Sequence, residues 1–408
     1  MKITLILCLL LVVIVFMSGC TTVQKADDSG ATAEGVNSVV DANNDFAFDM
    51  YTKVKSDTEN VFFSPYSIST ALAITYEGAR GQTAEEIQTV FHFPKDDNVR
   101  RPSFARIYNQ LNAGSNDYQL STANALWAQK DYPFLEDYIK SAENYYGGKV
   151  TNLDFIGETE KSRVTINDWI EQQTRNKIKD LIPQGVLSDY TRLVITNAIY
   201  FKGFWTNKFD PKDTGEEDFK LSNGNDVKVP MMRLTDSELK FKYTETEDLQ
   251  VLEMPYKGEE LSMIILLPKE GKMGDLENSI SSEKLTEWKN ALRNETVHIS
   301  LPKFKFETKY FLVDTLKEMG MPVAFSSSDA DFSGMNGKRD LFIQNVIHQA
   351  FVEVNEEGTE AAAATAVVVN TMSIPSIKDF RADHPFIFII QDKSTGNVLF
   401  LGKVNDPR

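Results

Sequence analysis

Apolar residues recur at helical spacing mainly in the first half of the chain. Ser64-Pro65 supplies a capping hydroxyl and a first-turn proline, and the helix predicted after it ends at Gly78. Thr83 precedes Glu86 by three residues, which predicts a capping box at the start of a second helix. The pattern of residues 164–178 predicts a third helix.

Short apolar runs and period-two alternation dominate the second half of the chain. One further apolar run, residues 194–201, comes just before it. Buried or half-buried strands are predicted at residues 194–201, 261–267, 297–301 and 341–354, with a hairpin formed by 385–391 and 398–403. Because the helices cluster early and the strands late, the pattern predicts the α+β class.

The stretch that follows the 341–354 strand is unusual, because it is small-sided, β-branched and nearly uncharged. If residues 359–370 formed a strand, side chains would alternate between two faces. The small residues at its leading end would let such a strand slide between two existing strands without overpacking. One alternative stays open, since Ala361–Ala364 also favours a helix or a plain disordered loop.

Length, charge and missing motifs limit the size of the core, the classes of partner and the kinds of activity. The 408 residues can build one large core or two ordinary ones. The net charge of −16 and the absence of a basic stripe argue against nucleic acid as a partner. Catalytic motifs of the Gly-x-Ser-x-Gly, P-loop and His-Glu-x-x-His types are missing, so we expect no enzyme and no cofactor. A calcium-loop-like start at Asp329 lacks an entering helix and is not taken as a metal site.

The N-terminus has the pattern of an export signal, residues 1–19. Lys2 precedes a 15-residue apolar run that is short for a membrane span, and Ser18-Gly19-Cys20 resembles a lipoprotein box in which Cys20 receives the lipid. An uncleaved anchor and plain secretion are the alternatives; all three place the protein outside the cytoplasm, and lipidation places it on the outer face of the membrane. We expect residues 20–42 to form a flexible tether and residues 43–408 one domain without a disulfide.

Several blocks occur in the order found in one known family. They are residues 60–69 (NVFFSPYSIS), 196–205 (TNAIYFKGFW), 301–304 (LPKF), 330–335 (ADFSGM) and 384–388 (HPFIF). With the small-residue stretch, residues 43–408 closely resemble the serpins, protease inhibitors that insert a cleaved loop into their own sheet. The resemblance implies three β-sheets, about nine helices, a reactive loop within residues 356–380, and a monomer.

The same resemblance implies roles for individual residues. A hydrogen-bonded cluster under the moving strands would contain Ser64, Ser67, Asn197 and His348; the static alternative is that Ser64 only caps its helix and His348 is a core histidine. Trp205 and Lys303 would lie where the loop first enters the sheet, with Lys303 paired to Glu356. The hinge would be Glu356, Glu357, Gly358, Thr359, Glu360, Ala361, Ala362, Ala363 and Ala364.

Counting from the hinge places the scissile bond between Met372 and Ser373. A long uncharged side chain before the cut suits elastase-like, chymotrypsin-like or subtilisin-like pockets. The sequence therefore predicts a suicide-substrate inhibitor that forms a covalent complex with a serine protease. The alternative is a non-inhibitory serpin that acts as a surface binding protein, although such members typically carry bulky, charged or proline residues in the hinge.

Overall fold

The computed structural model describes residues 25–113, 117–358 and 377–408, which contain ten α-helices and fifteen strands. The helices are α1 (Ala33–Val54), α2 (Pro65–Gly78), α3 (Gly81–Val90), α4 (Asp97–Leu111), α5 (Glu136–Tyr146), α6 (Thr159–Gln173), α7 (Met273–Ser279), α8 (Ser282–Ala291), α9 (Val313–Met319) and α10 (Ser333–Asn336). The α+β class is confirmed, with ten helices rather than about nine in these residues.

The strands belong to two hydrogen-bonded sheets. They are β1 (Val61–Phe63), β2 (Tyr118–Gln129), β3 (Lys149–Leu153), β4 (Leu193–Gly203), β5 (Gly215–Lys220), β6 (Asp226–Leu234), β7 (Lys240–Glu245), β8 (Leu249–Pro255), β9 (Leu261–Pro268), β10 (Arg293–Pro302), β11 (Phe304–Phe311), β12 (Asn345–Val354), β13 (Lys378–Arg381), β14 (Phe386–Asp392) and β15 (Val398–Val404).

The smaller sheet has five strands in the order β11-β12-β4-β2-β3. Its centre is the pair β12 and β4, which are parallel although every other strand pair of this sheet except β2–β3 is antiparallel. Parallel neighbours need a long crossover between them, and here the chain from residue 204 to 344 supplies it. The β4–β12 boundary is therefore the place where an antiparallel strand would fit between two existing strands.

The larger sheet joins ten strands in two groups that share one strand; counted separately, these two groups and the five-stranded sheet are the three sheets that the resemblance implied. The shared strand is β10. Its first part, from Arg293 to Thr296, pairs with β7, and its last part, from Ile299 to Pro302, pairs with β6. One shared strand therefore links the two groups.

One large core lies between the sheets, and α2 runs through it. Ser64 caps α2 as predicted, accepting a hydrogen bond from the Ser67 amide, and Pro65 occupies the first turn. Nearly every residue of α2 is buried, which explains its weak polar face. A second cluster of apolar side chains lies between α6 and the opposite face of the five-stranded sheet, and it includes Val194, Ala198 and Ile347 from the β4–β12 boundary.

Two local predictions were wrong. The second helix, α3, begins at Gly81, so Thr83 and Glu86 lie inside it and form no capping box. Their side chains accept hydrogen bonds from backbone amides of a distant segment instead, at Asp331 and Val323. Tertiary hydrogen bonds therefore use the two side chains that the local pattern assigned to a helix N-terminus. The third predicted helix, α6, starts five residues earlier and ends before residue 178.

The predicted tether, residues 20–42, is also corrected where the structure describes it. Residues 33–42 form the first turns of α1, and Val36, Val39 and Val40 are buried in the core. The stretch is rich in small and polar residues, which favours a linker, but the spacing of Val36, Val39 and Val40 is that of one helix face. Thr32 caps the helix. Within the described ranges, no helix has the length and apolar character needed to cross a membrane.

Candidate functional site

The boundary between β4 and β12 is the first part of the site. Its hydrogen-bonded register runs from Val194 opposite Asn345 to Tyr200 opposite Phe351. The last three residues of each strand lie beyond this register, next to a turn formed by residues 355–358. The two strands are thus joined along most of their length and end beside the segment that the sequence identified as a hinge.

The turn itself is tightly fixed. Asn355 and Gly358 exchange two backbone hydrogen bonds of 3.0 and 3.2 Å, and the Asn355 side chain accepts one from the Glu357 amide. On its other side, the turn is bound by the chain that follows β4, because the Trp205 amide donates to the Glu357 carbonyl at 2.9 Å. The turn therefore connects the ends of β12 and β4.

Gly358 pairs antiparallel with Asn355 on one side and with Phe204 on the other. This is the pairing that the first residue of a strand between β12 and β4 would make. Its φ is +116°, and a Cβ atom there would lie 2.4 Å from the Gly203 carbonyl oxygen and 2.5 Å from the Trp205 amide nitrogen. Backbone atoms cannot yield as a flexible side chain can, so only glycine fits this position.

Lys303 and Glu356 form the ion pair that the resemblance implied, with a 2.8 Å contact. Burial of Glu356 opposes its ionisation, but hydrogen bonds from Lys303 and from the Thr214 hydroxyl outweigh burial, and the pKa of Glu356 is lowered. The carboxylate is 12% exposed and the ammonium 36% exposed. The pair is therefore partly shielded from water and holds the turn against the start of β11.

Trp205 covers the inner side of the same turn. Its ring stacks on Tyr256 with 4.6 Å between ring centroids, and its indole N–H donates to the Asn355 carbonyl at 3.1 Å. Burial raises the pKa of Tyr256, and its hydroxyl has no hydrogen-bond partner among the residues that the structure describes. Trp205 thus ties the turn to the large core through one polar and one aromatic contact.

A buried polar cluster crosses the β4–β12 boundary lower in the sheet. The His348 Nδ1–H of β12 donates to the Asn197 Oδ1 of β4, and His348 Nε2 accepts from the Ser64 amide at 3.1 Å. Asn197 donates in turn to Ser67 Oγ and to the side-chain Oδ1 of Asn124 on β2. The four predicted residues are therefore brought together, and we call the five residues, Asn124 included, the cross-sheet cluster.

Burial holds the His348 imidazole neutral. The ring is fully buried, and loss of solvation lowers the pKa of His348 to about 3. A neutral ring with one donor and one acceptor matches its two partners. Separation of β12 from β4 breaks the hydrogen bond from His348 to Asn197, whereas Asn197 keeps Ser67 and Asn124, since those lie on its own side of the boundary.

Three contributors were missed by the sequence reasoning. Asn124 lies directly opposite Asn197 in the β2–β4 register; an asparagine within an otherwise apolar run was the available signal. Thr214 and Tyr256 come from loops and strands far away in sequence, and nothing local indicated them. Other predicted positions fall outside the described residues: Cys20, Thr359, Glu360, Ala361–Ala364, Met372 and Ser373.

Comparison with known families gives one match over most of the chain. The family model "Serpin (serine protease inhibitor)" matches residues 41–407. An uncharacterised serpin-like protein of Methanosarcina acetivorans is 45% identical over 370 residues, 90% of this chain and 86% of that protein. Leukocyte elastase inhibitor A of Rattus norvegicus is 43% identical over 377 residues, 90% of this chain and 98% of that protein.

A solved serpin-family structure also matches over most of the chain. Uncleaved ovalbumin superposes with a TM-score of 0.82 at 32% identity, with 91% of this chain and 100% of that chain covered.

Proposed function

The chain belongs to the serpin family, and from that membership we propose that it is a suicide-substrate inhibitor of serine proteases. It is a substrate for its target rather than an enzyme. The proposal requires that residues 359–370 enter the five-stranded sheet between β12 and β4 after cleavage.

The observation that carries the proposal is the pairing of Gly358. This residue already bonds antiparallel to both neighbours of the missing strand. Thr359 is the next residue along the chain, so insertion continues an arrangement that has begun. The β4–β12 register below it is held by a ladder of seven residue pairs and by the neutral contacts of the cross-sheet cluster, which exchange partners more readily than interlocked aliphatic side chains.

The chemistry follows from the family's reaction. The protease's serine oxygen attacks the Met372 carbonyl carbon, the C–N bond to Ser373 breaks, and the new amine leaves with a proton from the protease's histidine. The acyl-enzyme then stays attached to residue 372. Twelve inserted residues at ~3.3 Å each form a strand of roughly 40 Å, so the attached protease is carried by a comparable distance before water can hydrolyse the ester.

Met372 before the cut favours elastase-like, chymotrypsin-like or subtilisin-like targets over proteases built for Arg or Lys. We place the protein outside the cytoplasm as a monomer, held on the outer membrane face by a lipid on Cys20, with secretion as the alternative. The relative named leukocyte elastase inhibitor supports a target of the elastase class. Oxidation of Met372 would make this side chain polar and weaken the inhibitor.

Denaturing gel electrophoresis after mixing with pancreatic elastase tests the proposal. We expect a heat-resistant adduct with the combined mass of protease and cleaved inhibitor. Thr359→Arg places a long charged side chain on the face that must enter the core, so the adduct disappears and the protein is cleaved as a substrate. Glu360→Arg is the matched control, because its side chain would lie on the opposite face of the inserted strand.

Two outcomes count against the proposal. If Thr359→Arg still forms the adduct, insertion is not the trapping step. If the natural protein is fully cleaved while elastase stays active, the non-inhibitory alternative, a surface binding protein, takes precedence.

A further inference from the structure

Residues 25–31 lie along α4 and α5 before α1 begins. Ala26 is 4% exposed, and its amide and carbonyl both bond to the side-chain amide of Asn109, at 2.8 and 2.9 Å. The Asp27 amide donates to the Asn144 carbonyl at 2.7 Å. Asp28 forms a 2.6 Å ion pair with Arg106. We call residues 25–31 the N-terminal strap.

The strap has a direction. Asp28 contacts Arg106 and Ala26 contacts Asn109, so the chain followed backwards runs toward the C-terminal end of α4. Gln110 in the last turn of α4 and Ala113 just past it line one cavity with Tyr118, the first residue of β2. Tyr118 is paired with Gly203 at the end of β4.

The C-terminal end of β4 and the start of the reactive loop lie at the same pole of the molecule, which we call the loop-bearing pole. Asp117, next to Tyr118, forms a 2.8 Å ion pair with Lys257, whose amide donates to the Phe204 carbonyl. Phe204 is the residue that pairs with Gly358. The strap therefore leaves the body toward the pole that carries the loop, and away from the pole where β4 begins.

Little chain remains beyond the strap. Cys20 lies five residues before Lys25, and five fully extended residues reach at most about 18 Å. A lipid on Cys20 would therefore hold the protein close to the bilayer. Because the strap is bound to α4 and α5, residues 25–32 cannot extend as part of the linker.

We infer that the docked strap turns the loop-bearing pole of the protein toward the lipid bilayer in which Cys20 is anchored. This inference rests on the proposed lipidation and concerns the neighbouring surface rather than the inhibitory reaction. The partner surface is the outer face of the membrane, and the proteases met first are those that work at that surface. Insertion would then carry a trapped protease toward the opposite pole, away from the bilayer.

Energy transfer on vesicles tests the orientation. A chain that begins at Cys20 has one thiol, since Cys8 is the only other cysteine. That thiol is coupled to a maleimide-bearing lipid in phosphatidylcholine vesicles that also carry acceptor dye on lipid headgroups. A donor dye is placed through a ketone-bearing amino acid at either Lys257, at the loop-bearing pole, or Tyr190, which is 74% exposed at the opposite pole.

The 11 residues of β4 separate these poles by about 36 Å, so we expect transfer from position 257 to exceed transfer from position 190 by at least about twofold. Equal transfer, or more from position 190, overturns the inference. Asn109→Ala combined with Arg106→Ala releases the strap and reduces the difference. Asn112→Ala, which removes a hydrogen bond from the C-cap of α4 to the Tyr108 carbonyl and none of the strap contacts named above, leaves it unchanged.

Hydrogen exchange of the Ala26 and Asp27 amides shows directly whether the strap is released in each variant. Because the lipid is attached chemically, the result does not depend on whether cells lipidate Cys20. Inhibition is not measured, so a failure of the proposed function would leave this experiment intact.

Discussion

Replacement of His348 by glutamine isolates the energetic role of the cross-sheet cluster. Glutamine offers one acceptor and one donor, as the neutral imidazole does, so it can still face the Ser64 amide and Asn197. What the variant removes is the ability to take up a proton. The perturbation therefore separates titration of the group from the contacts that it makes.

The magnitude follows from the difference between folded and unfolded pKa values. The folded pKa of about 3 lies below the ordinary value of 6.5, so the unfolded chain binds one more proton between these pH values. Stability due to His348 is fully present above pH 6.5 and is lost as the pH falls toward 3. At about 1.36 kcal/mol per pH unit, the loss between pH 7.5 and pH 5 is about 2 kcal/mol.

Urea unfolding followed by tryptophan fluorescence at pH values from 5 to 7.5 measures this loss. We expect the natural protein to lose about 2 kcal/mol more than His348→Gln over that range. His92→Gln is the contrasting control: the hydrogen bond to Asp49 raises the pKa of His92, so its loss should steepen the fall in stability toward pH 5 instead of reducing it. If His348→Gln shows the same pH dependence as the natural protein, the imidazole is not held neutral by burial and the reasoning is refuted.

Three further predictions concern the turn and the loop. Lys303→Ala removes the partly shielded partner of the Glu356 carboxylate, so the free energy of unfolding measured in urea should fall by about 1 kcal/mol. The variant should also take up an added peptide with the sequence of the loop faster. Lys305→Ala, from a more exposed pair, should change neither quantity. Gly358→Ala brings a Cβ within 2.5 Å of backbone atoms and should detach the turn, seen as changed tryptophan fluorescence; Gly224→Ala, also at positive φ but with open space, is the control. Met372→Arg should move inhibition from elastase toward trypsin, and unchanged preference would mean that the cut lies elsewhere.

The site was predictable from the sequence to an uneven degree. The cross-sheet cluster was predicted only through the family resemblance, whose blocks carry Ser64, Ser67 and Asn197 and which also implied His348; no periodicity brings residues 64 and 348 together. Asn124 belongs to the same cluster but lies in no such block, so it was missed. The Lys303–Glu356 pair was implied by the resemblance, and only the fold shows that Thr214 and the start of β11 shield it.

Local pattern determined the elements whose signals are complete within a few residues. The Ser64-Pro65 helix start, the apolar strand at β9 and the β14–β15 hairpin belong to this group, because capping, periodicity and turn chemistry act at short range. The small side chains after Gly358 predict a strand that can enter a sheet, and this prediction lies outside the described residues.

Tertiary structure alone decided the remainder. It placed β12 beside β4, merged two groups of strands through β10, and fixed the strap on α4 and α5. These arrangements depend on pairings across more than 50 residues, and their free energy comes from burial and hydrogen bonds that do not exist until distant segments meet. A local pattern can specify a strand, but which strands become its neighbours is set by the whole fold.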